Sequence, residues 1–433
     1  MRTLLIKNVR VLDPSCGRDM LGSILIRDGK IESVEESAEV EGAVLLDGCG
    51  LTAAPGLVDM HVHFRDPGQT YKEDLLTGAA AAAAGGVTSV LCMPNTAPAV
   101  DSEAGLAYIK EKSEKAKIHI YQAAAITRGL QGKELTDFAE LKHAGAAAVS
   151  DDGRPVSDDG LMRAALEQAA LKGLPVLSHC EDLALAGGVM HEGETSRALG
   201  VKGIPAAAED NATARELSLI QPDGCPLHIC HVSTAASFDM IRKAKAEGKR
   251  VTCETAPHYF VFTDQKLKGK NANFRMNPPL RTESDREAVI RAIADGTVDA
   301  IATDHAPHAP EEKANFVSAP NGVLGLETSL AAGITYLVKP GHITLLRLLE
   351  LMSTSPARIL AISGGTLKPG APADIILFSM EEKWTVDPEK LHSKARNTPF
   401  AGMELTGRVK YTIVGGNVIF NEEAEHHGVH PAD

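Results

Sequence analysis

The chain lacks any run of 18 apolar residues, so none of its 433 positions belongs to a segment that reads as a membrane-spanning helix. It also lacks a signal-peptide core, because Lys7 and Arg10 interrupt the apolar part of Met1–Pro14. No two of the seven cysteines stand as Cys-x-x-Cys, and their odd number argues against a disulfide framework. Together these absences predict a cytoplasmic protein. Positive charge is scarce as well: 44 Lys and Arg against 57 Asp and Glu give a net charge of −13, which excludes nucleic acid and anionic membrane as expected partners. A small-molecule substrate remains, and a pair of bound divalent cations would reverse that sign locally.

What the sequence has is a repeated pattern. Eight apolar runs of strand length, bounded by turn residues, span Gly56–Phe64, Val87–Asn95, Ile118–Ile126, Ala146–Asp152, Pro175–Glu181, Leu227–Ser233, Val251–His258 and Ala300–His308. Helical stretches lie between several of them. Ser157 or Asp158 is placed to cap a helix that ends at Gly173, and Ser233 or Thr234 one that runs to Lys245 before Gly248. The six alanines Ala79–Ala84, followed by Gly85 and Gly86, read as a small-residue face packed closely on a sheet. Alternating strands and helices predict an α/β fold, a (β/α)8 TIM barrel over residues 55–364. Residues 1–54 and 365–433 carry short runs such as Leu4–Leu12, Ser23–Ile26, Ile375–Phe378 and Tyr411–Ile419. Neither end buries much core alone, so the two are expected to join as one small flanking β-sandwich domain. Such a length would ordinarily suggest about three domains, but α/β barrels are the exception to that count.

Chemistry gathers where these runs end. Val58–Asp66 places His61 and His63 two positions apart, on one face of a strand, where both imidazoles can grip one cation. Later runs close on Ser150-Asp151-Asp152-Gly153, His179 followed by Cys180 and Glu181, Cys230 followed by His231, and Thr303-Asp304-His305-Ala306-Pro307-His308. A barrel of parallel strands brings all such ends around one pocket. Neighbouring strand residues face opposite ways, so Cys180 and Cys230 are expected outside the pocket that His179 and His231 enter. Imidazoles and carboxylates without thiolates suit zinc or a similar divalent ion. Their number exceeds what one tetrahedral ion needs, and two metals sharing a bridging carboxylate and a bridging hydroxide would use them all. Asp304 is expected to face His61 across the barrel and to accept a proton. His258 and His305 read as structural, and His143, His191, His392, His426, His427 and His430 as surface residues. Periodicity leaves open which of Asp151 and Asp152 faces inward.

The whole chain resembles the amidohydrolase superfamily, and specifically its bacterial class I dihydroorotases. The resemblance rests on Pro55–Gly68 (Pro-Gly-Leu-Val-Asp-Met-His-Val-His-Phe-Arg-Asp-Pro-Gly), Met93–Thr96, Ser150–Gly153, Cys230–Ser233, Asn277–Arg281 and Ala302–His308. It implies reversible opening of L-dihydroorotate to N-carbamoyl-L-aspartate in pyrimidine synthesis, with two zinc ions per subunit. The implied metal ligands are His61, His63, Asp152, His179, His231 and Asp304. The implied substrate contacts are His63, Arg65, Asn95, Asn277 and His308, with backbone at Asn321 and Gly322. Asp304 is the implied acid and base. Many relatives bridge their metals with a carboxylated lysine; strand four has none, which places the chain with the aspartate-bridged branch. The resemblance also implies a homodimer and an association with aspartate transcarbamoylase.

An arginine suits the exocyclic carboxylate of dihydroorotate because it binds bidentately; the competing use for Arg65 is a surface ion pair with Asp66. Ala309–Gly322 has no apolar period and holds Pro310, Pro320 and Gly322, so it reads as a mobile loop beside the pocket. Two other classes remain: a hydantoinase or allantoinase on the same barrel, and a non-catalytic dihydroorotase-like partner of the transcarbamoylase. The missing lysine, with Arg65 and Asn95, speaks against the first. Retention of all six ligand residues speaks against the second.

Overall fold

The computed structural model describes residues 3–221 and 224–426. Eight parallel strands form one sheet in chain order: β1 Leu57–Val62, β2 Val87–Cys92, β3 His119–Ala124, β4 Ala148–Ser150, β5 Val176–Ser178, β6 Leu227–Ile229, β7 Val251–Thr255 and β8 Ala300–Ile301. Just beyond β8, His305 makes a parallel bridge to Val62, and His63 N donates to His305 O at 2.8 Å, so the sheet closes on itself. The expected barrel is therefore present, with β8 beside β1.

Nearly every strand residue is buried, as both faces of a barrel strand must be. Inside pack Val58, Met60, Leu91, Met93, Ala123, Ala148, Leu177, Cys230, Ala300 and Ala302. A much larger cluster joins the outer faces to the helices. Asp74 caps the helix Leu75–Ala84 through a capping box with Thr77. Within it Ala79, Ala81, Ala82 and Ala83 are buried, and a Cβ on Gly78 would lie 2.5 Å from the Phe64 ring, so small residues let this helix approach the tip of β1. Of the alternative caps, Asp158 holds Asp159–Lys172, ended by Gly173 at φ +61°, and Thr234 holds Ala235–Ala246.

The strands are shorter than the apolar runs predict. β8 ends at Ile301 rather than His308, and β6 at Ile229 rather than Ser233. Apart from His61, which lies within β1, the ligand-type residues lie beyond the ladder, where His231 at φ 35° and Asp304 at 49°, like Arg65 at 60°, take left-handed backbone. Such conformations cost L-residues energy and persist only where surrounding structure holds them.

Both chain ends share a second sheet of eight strands: Thr3–Asp13, Arg18–Arg27, Lys30–Glu35, Val44–Asp47, Thr52–Pro55, Ile375–Thr385, Glu404–Val414 and Asn417–Asn421. The first strand pairs with Val44–Asp47 along its first half and with Thr52–Ala53 along its second, which makes the sheet continuous. Ile375–Phe378 pairs antiparallel with Thr52–Pro55, uniting the two ends. This sheet has its own core, including Leu4, Ile6, Ile24, Ile31, Ile375 and Ile413. No helix among the described residues is long and apolar enough to cross a membrane.

Candidate metal centre

At the carboxyl ends of the barrel strands four imidazoles surround one carboxylate. Asp152 Oδ1 lies 3.4 Å from His61 Nε2, 3.6 Å from His179 Nδ1 and 3.7 Å from His231 Nε2, while its Oδ2 lies 3.6 Å from His63 Nε2. Asp304 Oδ1 stands 3.1 Å from His63 Nε2 and 3.9 Å from His61 Nε2. All six side chains expected to hold metal thus meet in one place. Asp304 reaches it from the strand beside His61 rather than from across the barrel, because closure puts β8 next to β1.

Two observations test whether these groups fit a cation. First, His61 Nε2 and Asp152 Oδ1 are buried without a hydrogen-bond partner, which inside a protein is costly unless something else satisfies them. Second, the nitrogen–oxygen separations around Asp152, 3.4 to 3.7 Å, are too long for good hydrogen bonds yet lie close to roughly 3.4 Å, the gap between two ligands about 2.1 Å from one tetrahedral ion. Two overlapping triads, His61 with His63 and Asp304, and His61 with Asp152 and His231, have donor atoms close enough to share an ion. The donor set fits. Burial alone would raise the Asp152 carboxyl, but the imidazoles, His61 foremost, hold it well below the usual carboxylate range.

Supporting contacts fix the ring orientations. Asn95 Oδ1 lies 2.9 Å from His63 Nδ1, and Asn95 Nδ2 donates to Asp152 Oδ2 at 3.1 Å, so one amide orients two members of the centre. Asp151 points elsewhere: its Oδ1 accepts from Ile126 N at 2.8 Å and Thr127 N at 3.1 Å, and its Oδ2 from the Thr127 hydroxyl. Asp59, two residues before His61, accepts from His61 N at 3.1 Å and from Thr303 Oγ1 at 2.5 Å, tying the tips of β1 and β8 together.

A cavity of about 190 Å³ opens above the centre, lined by His63, Arg65, Asn95, Asp152, His179, His231, Asn277, Asp304, Asn321 and Gly322, among others. Arg65 does not pair with Asp66, which is bound by Tyr108 and Lys112 instead. Its Nε donates to Pro307 O at 3.3 Å and its Nη2 lies 3.4 Å from His308. Asn277 donates to Glu181 Oε1 at 3.1 Å. His308 stands behind this lining: its Nε2 donates to Asn321 O at 2.8 Å, and burial, with Arg65 next in effect, lowers its pKa to about 3. A Cβ on Gly322, at φ +139°, would come within 2.9 Å of the His308 ring, so this position admits only glycine.

Other expectations need correction. Cys230 lines the barrel interior close to His61, although His231 also enters the centre; the left-handed turn at His231 breaks the strand alternation. Cys180 does face away, into the outer core. His191 is buried beside Arg281 and so is not a surface residue, while His392 is half-buried on Glu327. His143 is exposed, and His258 and His305 are buried. His427 and His430, and the side chain of His426, lie outside the described residues. The loop Ala309–Gly322 is anchored rather than loose: Lys313 Nζ donates to Arg275 O at 3.3 Å and to Pro320 O and Gly322 O at 2.9 Å, and Arg275 Nη1 donates to Phe316 O and Val317 O at 2.7 Å. Sequence reasoning missed Glu254, 2.8 Å from His61 Nδ1, and Asn397, which binds His308 N, Ala306 O and Gly322 O. A lone carboxylate inside an apolar strand was the available signal for Glu254; nothing local marks Asn397.

The model of the family described as Dihydro-orotase-like matches residues 50–237. A dihydroorotase of Citrifermentans bemidjiense is 52% identical over 96% of this chain and 99% of its own. One from Acetivibrio thermocellus is 48% identical, with 97% and 99% covered. Among solved structures, the L-hydantoinase of Arthrobacter aurescens superposes with a TM-score of 0.87 at 26% identity, covering 98% of this chain and 97% of that one. A D-hydantoinase gives 0.85 at 26%, with 97% and 96% covered. The barrel is thus common ground with the hydantoinases, whereas near-full-length identity of about half lies with the other group: the chain belongs to the dihydroorotase family of amidohydrolases.

Proposed function

We propose that this chain is a zinc-dependent dihydroorotase of the aspartate-bridged class I type, which opens L-dihydroorotate to N-carbamoyl-L-aspartate and closes it again. The observation that carries the reading is one cavity of about 190 Å³ lined both by Arg65 and by the ligand-type groups His63, Asp152, His179, His231 and Asp304. A guanidinium at one side suits a ring carboxylate, and the cluster at the other suits the amide to be cleaved. For the bridge, Asp152 lies near four imidazoles, and no lysine occurs in Ala148–Gly153.

His61, His63, Asp152, His179, His231 and Asp304 would hold two zinc ions. Bound there, the metals supply Lewis acidity toward the ring carbonyl and lower the pKa of an attacking water. The remaining work falls to side chains. Arg65 binds the exocyclic carboxylate, with Asn277 and the backbone at Asn321 and Gly322 closing around the ring. Asn95 keeps His63 and Asp152 in register. The Asp304 carboxylate takes the proton released as water adds to the carbonyl carbon and returns it to the ring nitrogen as the carbon–nitrogen bond breaks. In reverse, it removes a proton from the carbamoyl nitrogen as that nitrogen attacks the side-chain carboxyl carbon, and gives the proton to the oxygen that leaves as water.

The hydantoinase likeness of the fold keeps a second reading, hydrolysis of a ring without a carboxylate. Assay of purified protein, with metal analysis, against dihydroorotate, hydantoin, dihydrouracil and allantoin separates the two. Arg65→Met should raise KM for dihydroorotate roughly tenfold to a hundredfold, as expected for loss of a charge-assisted contact, while leaving trace dihydrouracil turnover nearly unchanged. Comparable wild-type kcat/KM on dihydrouracil and dihydroorotate would move the assignment to the hydantoinase side.

A further inference from the structure

Below His61 a line of buried polar groups descends inside the barrel. His61 Nδ1 lies 2.8 Å from Glu254 Oε1 and His228 Nδ1 2.8 Å from Thr252 Oγ1, both within hydrogen-bond geometry, while Glu254 Oε2 lies 3.2 Å from His228 Nε2 as a close contact without hydrogen-bond geometry. Glu254 is 0% exposed and His228 1%. The line follows from sheet register: His228 on β6 is the direct partner of Thr252 on β7, and Glu254 stands two residues further along the same face of β7. None of the chemistry derived above uses Glu254 or His228.

A neutral imidazole carries its proton on either nitrogen, and the choice decides which nitrogen can bind a metal. An ionised carboxylate only accepts, so a ring facing Glu254 through Nδ1 must carry its proton there. The lone pair is then on Nε2, which is buried, has no hydrogen-bond partner and faces Asp152 Oδ1 at 3.4 Å. A lone pair facing a carboxylate oxygen is repulsive unless a cation lies between them. The Cys230 thiol, also close to His61, is a weak donor and a weak acceptor and sets no such preference.

We infer that Glu254 is a positioning residue that fixes His61 in the Nδ1–H form and aims its Nε2 at the metal, and that His228, aligned by Thr252, keeps the Glu254 carboxylate from turning away. This rests on the metal reading of the site. Carboxylate–histidine–metal arrangements of this kind raise ligand basicity as well as fixing orientation.

The test compares wild type, Glu254→Gln and His228→Gln as full-length proteins, reading Zn2+ affinity by chelator competition and the histidine ring protons of the zinc-loaded protein by 15N-labelled NMR. Wild type should show a downfield, slowly exchanging Nδ1 proton on His61. Glu254→Gln keeps the volume but offers a neutral amide, so zinc affinity should fall about tenfold to a hundredfold and that proton should move upfield. His228→Gln should shift both readouts in the same direction and by less. Should Glu254→Gln not fold, His228→Gln decides alone. Folded variants that bind zinc within about twofold of wild type, or that keep the His61 proton unshifted, overturn the inference. Wild type that binds no zinc overturns the metal reading instead, before any variant is compared.

Discussion

Asp151 and Asp152 carry the same side chain one residue apart, and the end of β4 turns them to different tasks. Asp151 accepts two backbone N–H groups from Ile126 and Thr127, and so ties β4 to the segment after β3. Burial raises its carboxyl to about 6. Asp152 makes no such backbone contact and lies among the imidazoles. Two different losses are therefore expected. Asp152→Ala should empty the centre of metal while the chain stays folded, as metal analysis of the purified variant would reveal. Asp151→Ala should keep its metal but lose about 1 to 3 kcal/mol of stability, since two buried N–H groups are left without an acceptor; denaturant titration measures this. The opposite ranking in metal content would mean that the aspartates have exchanged roles.

At the scale of elements, the sequence exposed the ladder and its chemistry but not the way the ladder ends. Period and turn residues sufficed for all eight barrel strands, because buried parallel strands are plain apolar runs. They overran the true ends by up to seven residues, at β8, since a residue such as Ala306 or His308 extends an apolar alternation without joining the sheet. His231 and Asp304 show why side-chain direction was the less legible part: their left-handed backbone cancels the alternation from which Cys230 was placed outside the centre. Loop anchoring was invisible for a similar reason. Lys313 and Arg275 act on carbonyl oxygens, which every residue possesses, so no pattern announces the pairing. Lys313→Met retains the length of the stem and removes the donor, leaving Pro320 O without its partner, while Gly322 O keeps Asn397 and Arg275 O keeps Gly322 N. Such a loss costs about 1 to 3 kcal/mol of local stability, so the Ala309–Gly322 segment should become several-fold more sensitive to limited proteolysis. KM should rise with it, because Gly322 belongs to the cavity wall. Unchanged cleavage kinetics would mean that the loop is held by other contacts.

Across the whole molecule, the terminal sheet and the barrel meet through polar contacts near the start of the barrel strands. Gly56 N donates to Asp374 O at 2.9 Å, Thr412 Oγ1 donates to Ala83 O at 2.6 Å, and His119 Nε2 on β3 lies 3.0 Å from Asp374 Oδ2. The hydrogen bond to Asp374 raises the pKa of His119 above its ordinary 6.5, against the opposing effect of burial. A raised histidine stabilises the folded state fully below its unfolded pKa, near 6.5, and the contribution disappears as pH rises through the folded value. The Tm difference between wild type and His119→Gln should therefore be larger at about pH 6 than at about pH 9. A difference independent of pH would mean that the imidazole stays neutral and contributes through packing alone.

The proposed metal centre would couple chemistry to the stability of the barrel as a whole. Its six side chains come from the ends of β1, β4, β5, β6 and β8, so a cation bound there links strands that are far apart in sequence. The unfolded chain presents no such constellation, and a ligand that binds only the folded state adds RT ln(1 + [L]/Kd), about 2.7 kcal/mol at a hundredfold excess over Kd. In a chain of this length that corresponds to a rise in Tm of roughly 2 to 5 °C. Exhaustive chelation should accordingly lower the Tm of wild type by this amount, and added zinc should restore it. Asp152→Ala supplies the control: with the carboxylate that stands among four imidazoles removed, its Tm should respond little to either treatment. If instead wild type melts at the same temperature with zinc and with chelator, these histidines and aspartates are not held together by a cation, and the unpartnered His61 Nε2 and Asp152 Oδ1 need another explanation.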